Sequence, residues 1–127
     1  MQDFLKSMAA SASGLSAQSA RLRITSENIA NADTPGFRSK GLSFEAVHRG
    51  EGAVRTGNVS LNETALDRIF DPSHPLSGED GYYDGSNVNL MVEIADAREA
   101  QRSYEANLKM FDQARTMASS LLDLLRR

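Results

Sequence analysis

Residues 27–37 read ENIANADTPGF, and the reading of this stretch decides where the first long element stops. Behind it lies an apolar stripe. Leu5, Met8, Ala12, Leu15, Leu22 and Ile29 share one helical face, and Met8, Leu15, Leu22 and Ile29 repeat by sevens with Ser19 and Ser26 between them. The pattern predicts one amphipathic helix from Asp3 to Ala30, about 40 Å long at 1.5 Å per residue. Gly14 weakens it by about 1 kcal/mol relative to Ala. Ile29 closes the stripe. Asn31 then suits a left-handed C-terminal cap, and Pro35 with Gly36 suits the centre of a type II turn. Asp33 and Thr34 can satisfy free backbone groups there. The polar run reads as a helix terminator and chain reversal, not as a ligand loop.

Working outward, the last third of the chain carries a second stripe. Leu90, Ile94, Ala97, Tyr104, Leu108, Phe111, Ala114, Ala118, Leu121 and Leu125 drift from heptad spacing toward the 3.6-residue period, so only short supercoiled contacts are expected. Asn87 or Asn89 supplies an N-cap oxygen for the free amides of the first turn. Glu105 with Lys109, Asp123 with Arg127 and Glu99 with Arg102 have the spacing of helix-surface ion pairs, each contributing about 0.2 to 0.5 kcal/mol. Arg126 and Arg127 suit the negative end of the helix dipole. This helix should reach about 55 Å.

Between the two, over residues 38–86, the period is lost. The stretch holds most of the glycines and two of the three prolines, with short β-type runs at 42–47 and 59–61, a turn of helix at 64–69 and a turn-rich run at 71–86. A small or partly disordered insert is expected. The fold class that follows is mainly α: an N-terminal axial helix and turn at 1–37, an irregular insert with short strands at 38–86, and a C-terminal axial helix at 87–127, with the two helices packed as a coiled-coil-like hairpin. Such a two-helix layer leaves one side of its seam wet, so further copies or related chains should close it.

Composition agrees. In 127 residues only 6% are aromatic, Trp is absent and the mean hydropathy is −0.41, so the apolar area available for a private core is small. The net charge of −3 is too low to imply a polyelectrolyte partner, and its excess acid falls in residues 31–86, with nine acids against five bases. On the last helix acids and bases interleave, which argues against a nucleic-acid groove. With no cysteine, disulfides, thiolate zinc sites and cysteine nucleophiles are excluded. No secretory leader is legible in residues 1–20 and no stretch approaches 18 apolar residues, which by themselves suggest a cytoplasmic, non-spanning protein.

Catalytic material is scarce. His48 and His74 are the only histidines, and neither belongs to a metal-ligand spacing. Asp71 and His74 in DPSHP could share a metal, but Pro72 and Pro75 explain the stretch as two turns. EDGYYDGSNVN aligns with a calcium loop only until Tyr82 and Met91 occupy ligand positions, and reads better as a turn leading to the helix cap. Gln101 and Arg115 read as register-setting polar residues near the second stripe. No catalytic, cofactor or metal residue is assigned.

The stretch SGLSAQSARLRITSENIANADTPGF resembles the N-terminal signature of flagellar axial proteins, carried here by Asn28, Ala30, Asn31, Ala32, Thr34, Pro35, Gly36 and Phe37. DPSHPLSGEDGYYDGSNVN and the RSYEAN that follows resemble the C-terminal part of flagellar basal-body rod proteins, through Asp71, Pro72, His74 and Pro75, then Gly81 and Tyr82, then Asn87, Val88 and Asn89, then Arg102, Ser103, Tyr104 and Asn107. These C-terminal motifs are those of one proximal-rod branch, with Asn89 in place of the usual Asp, while the short DTPGF loop is closer to a related proximal-rod branch.

The resemblance implies a structural subunit of the proximal rod, exported without a cleaved signal peptide through the flagellar type III apparatus and built into the periplasm-spanning rod beside copies of itself and other rod proteins. It implies no enzyme activity, no cofactor, no nucleic acid and no membrane span. The expected packing residues are Leu5, Met8, Leu15, Leu22 and Ile29 on the first helix, joined by Phe4, and Leu90, Ile94, Tyr104, Leu108, Phe111, Leu121 and Leu125 on the second. Two other readings compete: a helical adaptor of the export apparatus that never enters the rod, and a peptidoglycan-cleaving accessory using acids such as Glu45 or Glu63.

Overall fold

A computed structural model describes residues 2–47 and 52–126. Helix α1 runs Gln2–Ala30, strands β1 (Lys40–Ala46) and β2 (Val54–Leu61) form one antiparallel hairpin, β3 (Arg68–Phe70) and β4 (Tyr82–Asp84) form a second, and helix α2 runs Leu90–Leu125. His48 and the Asp123–Arg127 pair involve residues outside the described set. The two helices are the main contact in the molecule and run antiparallel: Gly14 meets Asn107, and Arg21 reaches Asp96 and Glu99.

The α1 terminator works in part as read. Gly36 has φ 75°, and the Phe37 amide donates to the Thr34 carbonyl at 3.2 Å, which is the type II turn expected of Pro35-Gly36. Asn31 is not left-handed, because no non-glycine among the described residues has positive φ. It ends the helix by chemistry instead. Its side-chain amide donates to the Glu27 carbonyl at 2.8 Å, its Oδ1 accepts from Thr34 Oγ1 at 3.1 Å and its carbonyl accepts from the Thr34 amide. A side chain able to bond its own helix's last carbonyls removes the need for a strained cap. Asp33 takes part in no hydrogen bond found among the described residues.

The insert is more regular than expected. The β1–β2 hairpin lies back along α1, from Lys40 beside Asn28 to the Val54 amide, which donates to Ser13 Oγ at 3.0 Å. A register shift between Leu42 and Phe44 bends it. The helical turn expected at 64–69 is absent: Asn62 caps Thr64 locally and the chain then enters β3. Tyr82 and Tyr83, read as turn residues, are in β4. Paired aromatics account for this change. Phe70 and Tyr82 meet at 5.0 Å, His74 stacks on Tyr83 at 3.9 Å, and Arg68 lies over Tyr82 while binding Asp80 at 2.8 Å.

The DPSHP segment makes two successive turns, closed by the His74 amide on the Asp71 carbonyl and the Ser77 amide on the His74 carbonyl, both at 3.0 Å. His74 Nδ1 accepts from the Leu76 amide at 3.1 Å. These bonds give Asp71 and His74 a structural role in the hairpin.

Candidate assembly surface

The seam between α1 and α2 is built from small residues. On α1 the buried positions are Ser11, Gly14, Ala17, Ile24, Thr25 and Asn28, and on α2 they are Ala100 and Ala114. This face is rotated from the heptad stripe. The physical reason is backbone proximity: a Cβ placed on Gly14 would lie 2.6 Å from Asn107 Oδ1, so large side chains cannot occupy the line of contact. Asn107 donates back to the Ser103 carbonyl at 2.9 Å, which holds its amide against Gly14. The helical Gly14 and the many Ala and Ser residues were the sequence signal for such a seam.

The expected packing residues consequently lie at the flanks and outside. Met8, Leu15, Leu22, Ile29, Tyr104 and Phe111 are half-buried, whereas Leu5, Leu90, Ile94, Leu108, Leu121 and Leu125 are exposed, Leu5 by 57% and Leu125 by 77%. Met91, Met110, Met117, Leu122 and Leu124 add exposed apolar surface that the stripe had omitted. A run of this length exceeds the scattered apolar residues normal on a monomer. Among the helix-face pairs expected on α2, Glu99 binds Arg21 of α1 rather than Arg102, and no Glu105–Lys109 pair forms.

A polar junction fixes the two helices at the insert end. Asn28 is fully buried, and its amide grips the Lys40 backbone in both directions, Nδ2 donating to the carbonyl and Oδ1 accepting from the amide, each at 2.9 Å. Lys40 Nζ in turn binds Glu27. Asn87, at the other side, accepts from the Ser39 amide at 2.7 Å and donates to the Asn62 and Thr64 carbonyls, which Arg38 also binds. Ser86 Oγ donates to the Ala32 carbonyl. The N-cap of α2 is Asn89, whose Oδ1 accepts from the Val92 amide at 3.4 Å. Thus Asn28, Asn31, Asn87 and Asn107 all bond within their own chain. Arg102 is exposed on α2.

Beside the junction a groove of about 360 Å³ is walled by α1, β1 and α2, with Arg21 and Lys40 facing Glu93 and Asp96. Partial burial raises the Glu93 carboxyl above its ordinary value; hydrogen bonding from Asn28 opposes this and the Asp96 charge adds to it. Across the groove Arg21 of α1 binds Asp96 of α2 at 3.4 Å. No helix among the described residues is long and apolar enough to cross a membrane.

Fold and surface define a class: an elongated helical hairpin with a preformed small-residue seam, a polar lock at one end and an uncovered apolar exterior. The comparisons with known proteins agree with it. Residues 8–38 match the family described as Flagella basal body rod protein, and residues 79–124 match the Flagellar basal body rod FlgEFG protein C-terminal family. The chain is 42% identical over 124 residues to the flagellar basal-body rod protein FlgC of Agrobacterium fabrum, covering 90% of this chain and 89% of that one. It is 34% identical over 122 residues to FlgC of Yersinia enterocolitica, and 30% identical over 121 residues to FlgC of Salmonella typhimurium, each covering 88% of this chain and 90% of the relative. The chain belongs to the flagellar basal-body rod proteins and is FlgC-like, so the C-terminal motifs, not the short DTPGF loop, indicated its branch.

Proposed function

We propose that this protein is a structural subunit of the proximal part of the rod, which assembles by covering its outer apolar stripe with neighbouring rod subunits and transmits torque without catalysis. One observation carries the reading: apart from Ile24, the helices bury mainly small residues against each other and leave large ones on α2 exposed. Leu90, Ile94, Leu108, Leu121 and Leu125 on α2, with Leu5 and the half-buried Met8, Leu15, Leu22 and Ile29 on α1, form the packing surface, and neighbours include other copies and other rod proteins. Burying one exposed Leu fully stabilises an assembly by about 1.5 to 3 kcal/mol, so a few such residues per contact suffice for a cooperative tube. The poor core suits a chain that passes unfolded through the type III export apparatus and orders on docking in the periplasm-spanning rod. Fractionation tests this against an export-side adaptor. The protein should remain in basal bodies washed free of the export apparatus, and its loss with that apparatus would refute the rod reading.

A further inference from the structure

The β1–β2 hairpin turns one unpaired edge toward the groove beside the polar junction. In an antiparallel pair, alternate residues bond the partner strand, and the residues between them point their amides and carbonyls outward. The bonds from the Asn62 amide to the Ser39 carbonyl and from the Val47 amide to the Ala53 carbonyl set the phase. Lys40, Leu42 and Phe44, which stand opposite Leu61, Val59 and Thr56, therefore direct their backbone groups away from β2. At Lys40 the outward pair is satisfied by Asn28, whose side-chain amide supplies one donor and one acceptor as a neighbouring strand would. At Leu42 and Phe44 no such partner is found among the described residues. These two residues line the groove of about 360 Å³ whose other walls are Arg21, Ile24 and Thr25 of α1 and Glu93 and Asp96 of α2. No Cα of β1 lies within 8 Å of α2, so that helix does not cover the edge.

We propose that this groove is a docking site for an extended, basic segment of another protein, which adds to β1 as a third strand and does at Leu42 and Phe44 what Asn28 does at Lys40. The backbone sets the shape of the occupant. A row of unpaired amides and carbonyls is a template for one more strand, and the open edge from Leu42 to Ala46, about 13 Å at 3.3 Å per residue, matches a segment of about five residues. Charge sets its sign. Arg21 is taken up by Asp96 and Glu99, and Lys40 by Glu27. Half-buried Glu93 has no cation against it among the described residues. Four acids thus stand at the groove against two bases, and a lysine on the incoming strand gives Glu93 its partner, whereas an acidic strand is repelled.

This contact does not use the outer stripe of α2, so its failure leaves the rod reading standing. The test is NMR on the isotope-labelled full chain with a terminally blocked threonine-valine-lysine-valine-threonine peptide at millimolar concentration. The peptide should shift the Leu42 and Phe44 amides and slow their hydrogen exchange, and the same peptide with a central glutamate should bind about tenfold more weakly. Leu42→Pro removes an outward amide and no bond of the β1–β2 ladder, a change that edge positions tolerate. It should abolish binding with unchanged circular dichroism, while Leu42→Ala, which keeps the amide, still binds. Independently of how Leu42→Pro folds, Glu93→Gln should erase the preference for lysine over glutamate at the centre of the peptide. Three results would overturn the proposal: no protection at Leu42 and Phe44, equal binding of the two peptides to the unmutated chain, or protection that grows with protein concentration in the absence of peptide, which would make a second copy the occupant.

Discussion

Asn28 shows how a single side chain converts two long helices and a hairpin into one body. It is fully buried and satisfies both backbone groups of Lys40, so Asn28→Ala leaves a buried donor and acceptor without partners. The expected loss is about 2 to 4 kcal/mol, at about 1 to 3 kcal/mol per unsatisfied group with some relaxation, and urea unfolding of the monomer measures it. Asn28→Asp should recover only the Oδ1 half. Glu93 gives a pH signature at the same junction. Its raised carboxyl binds its proton more tightly folded than unfolded, so its contribution weakens stability as pH rises from the ordinary carboxylate range through the raised value. Glu93→Gln should flatten the stability profile across that window and leave the protein more stable at neutral pH, as read by thermal melts at several pH values. The motif asparagines were visible in the sequence as types and positions. Their partners were not, because Lys40 and Ser39 are brought to them only by the turn at Pro35-Gly36 and the return of α2.

For the elements, the decisive feature is which face each helix turns inward. Existence and approximate boundaries of both helices could be read from the stripes and the Pro-Gly turn, and the cap of α2 as Asn87 or Asn89, of which Asn89 is the one found; the left-handed Asn31 cap expected of α1 was not. The inner face could be read only at Ala114, since periodicity weighs large apolar residues and the rest of this seam includes Ser11, Gly14, Ala17 and Ala100. β3 and β4 were missed for a related reason: Phe70, Tyr82, His74 and Tyr83 stabilise them by pairing across a turn, which a window along the chain does not register. Gly14 offers a quantitative check. Gly14→Ala gains about 1 kcal/mol of helix propensity but drives a Cβ into the Asn107 amide. The single variant should be near neutral or destabilised, whereas G14A/N107A should exceed N107A by about 1 kcal/mol. This coupling appears in a double-mutant cycle on the monomer, and strict additivity would show that the seam is looser than described.

At the scale of the whole molecule, the chain divides its apolar residues between two tasks. The small ones line the contact between α1 and α2, and large ones on α2 stand exposed, where the proposed function places neighbouring subunits. The exposed stripe on α2 is a surface that is wasteful for a free monomer. The rod reading is therefore tested most directly by changing an exposed residue that the monomer does not need. Leu108 is 41% exposed on α2. The measurement is the amount of Leu108→Asp protein in washed basal bodies, beside the circular dichroism of the purified variant. Wild-type helix content with loss of at least nine-tenths of the incorporation, about the effect of 1.4 kcal/mol at one contact, is the predicted result; normal incorporation would contradict it.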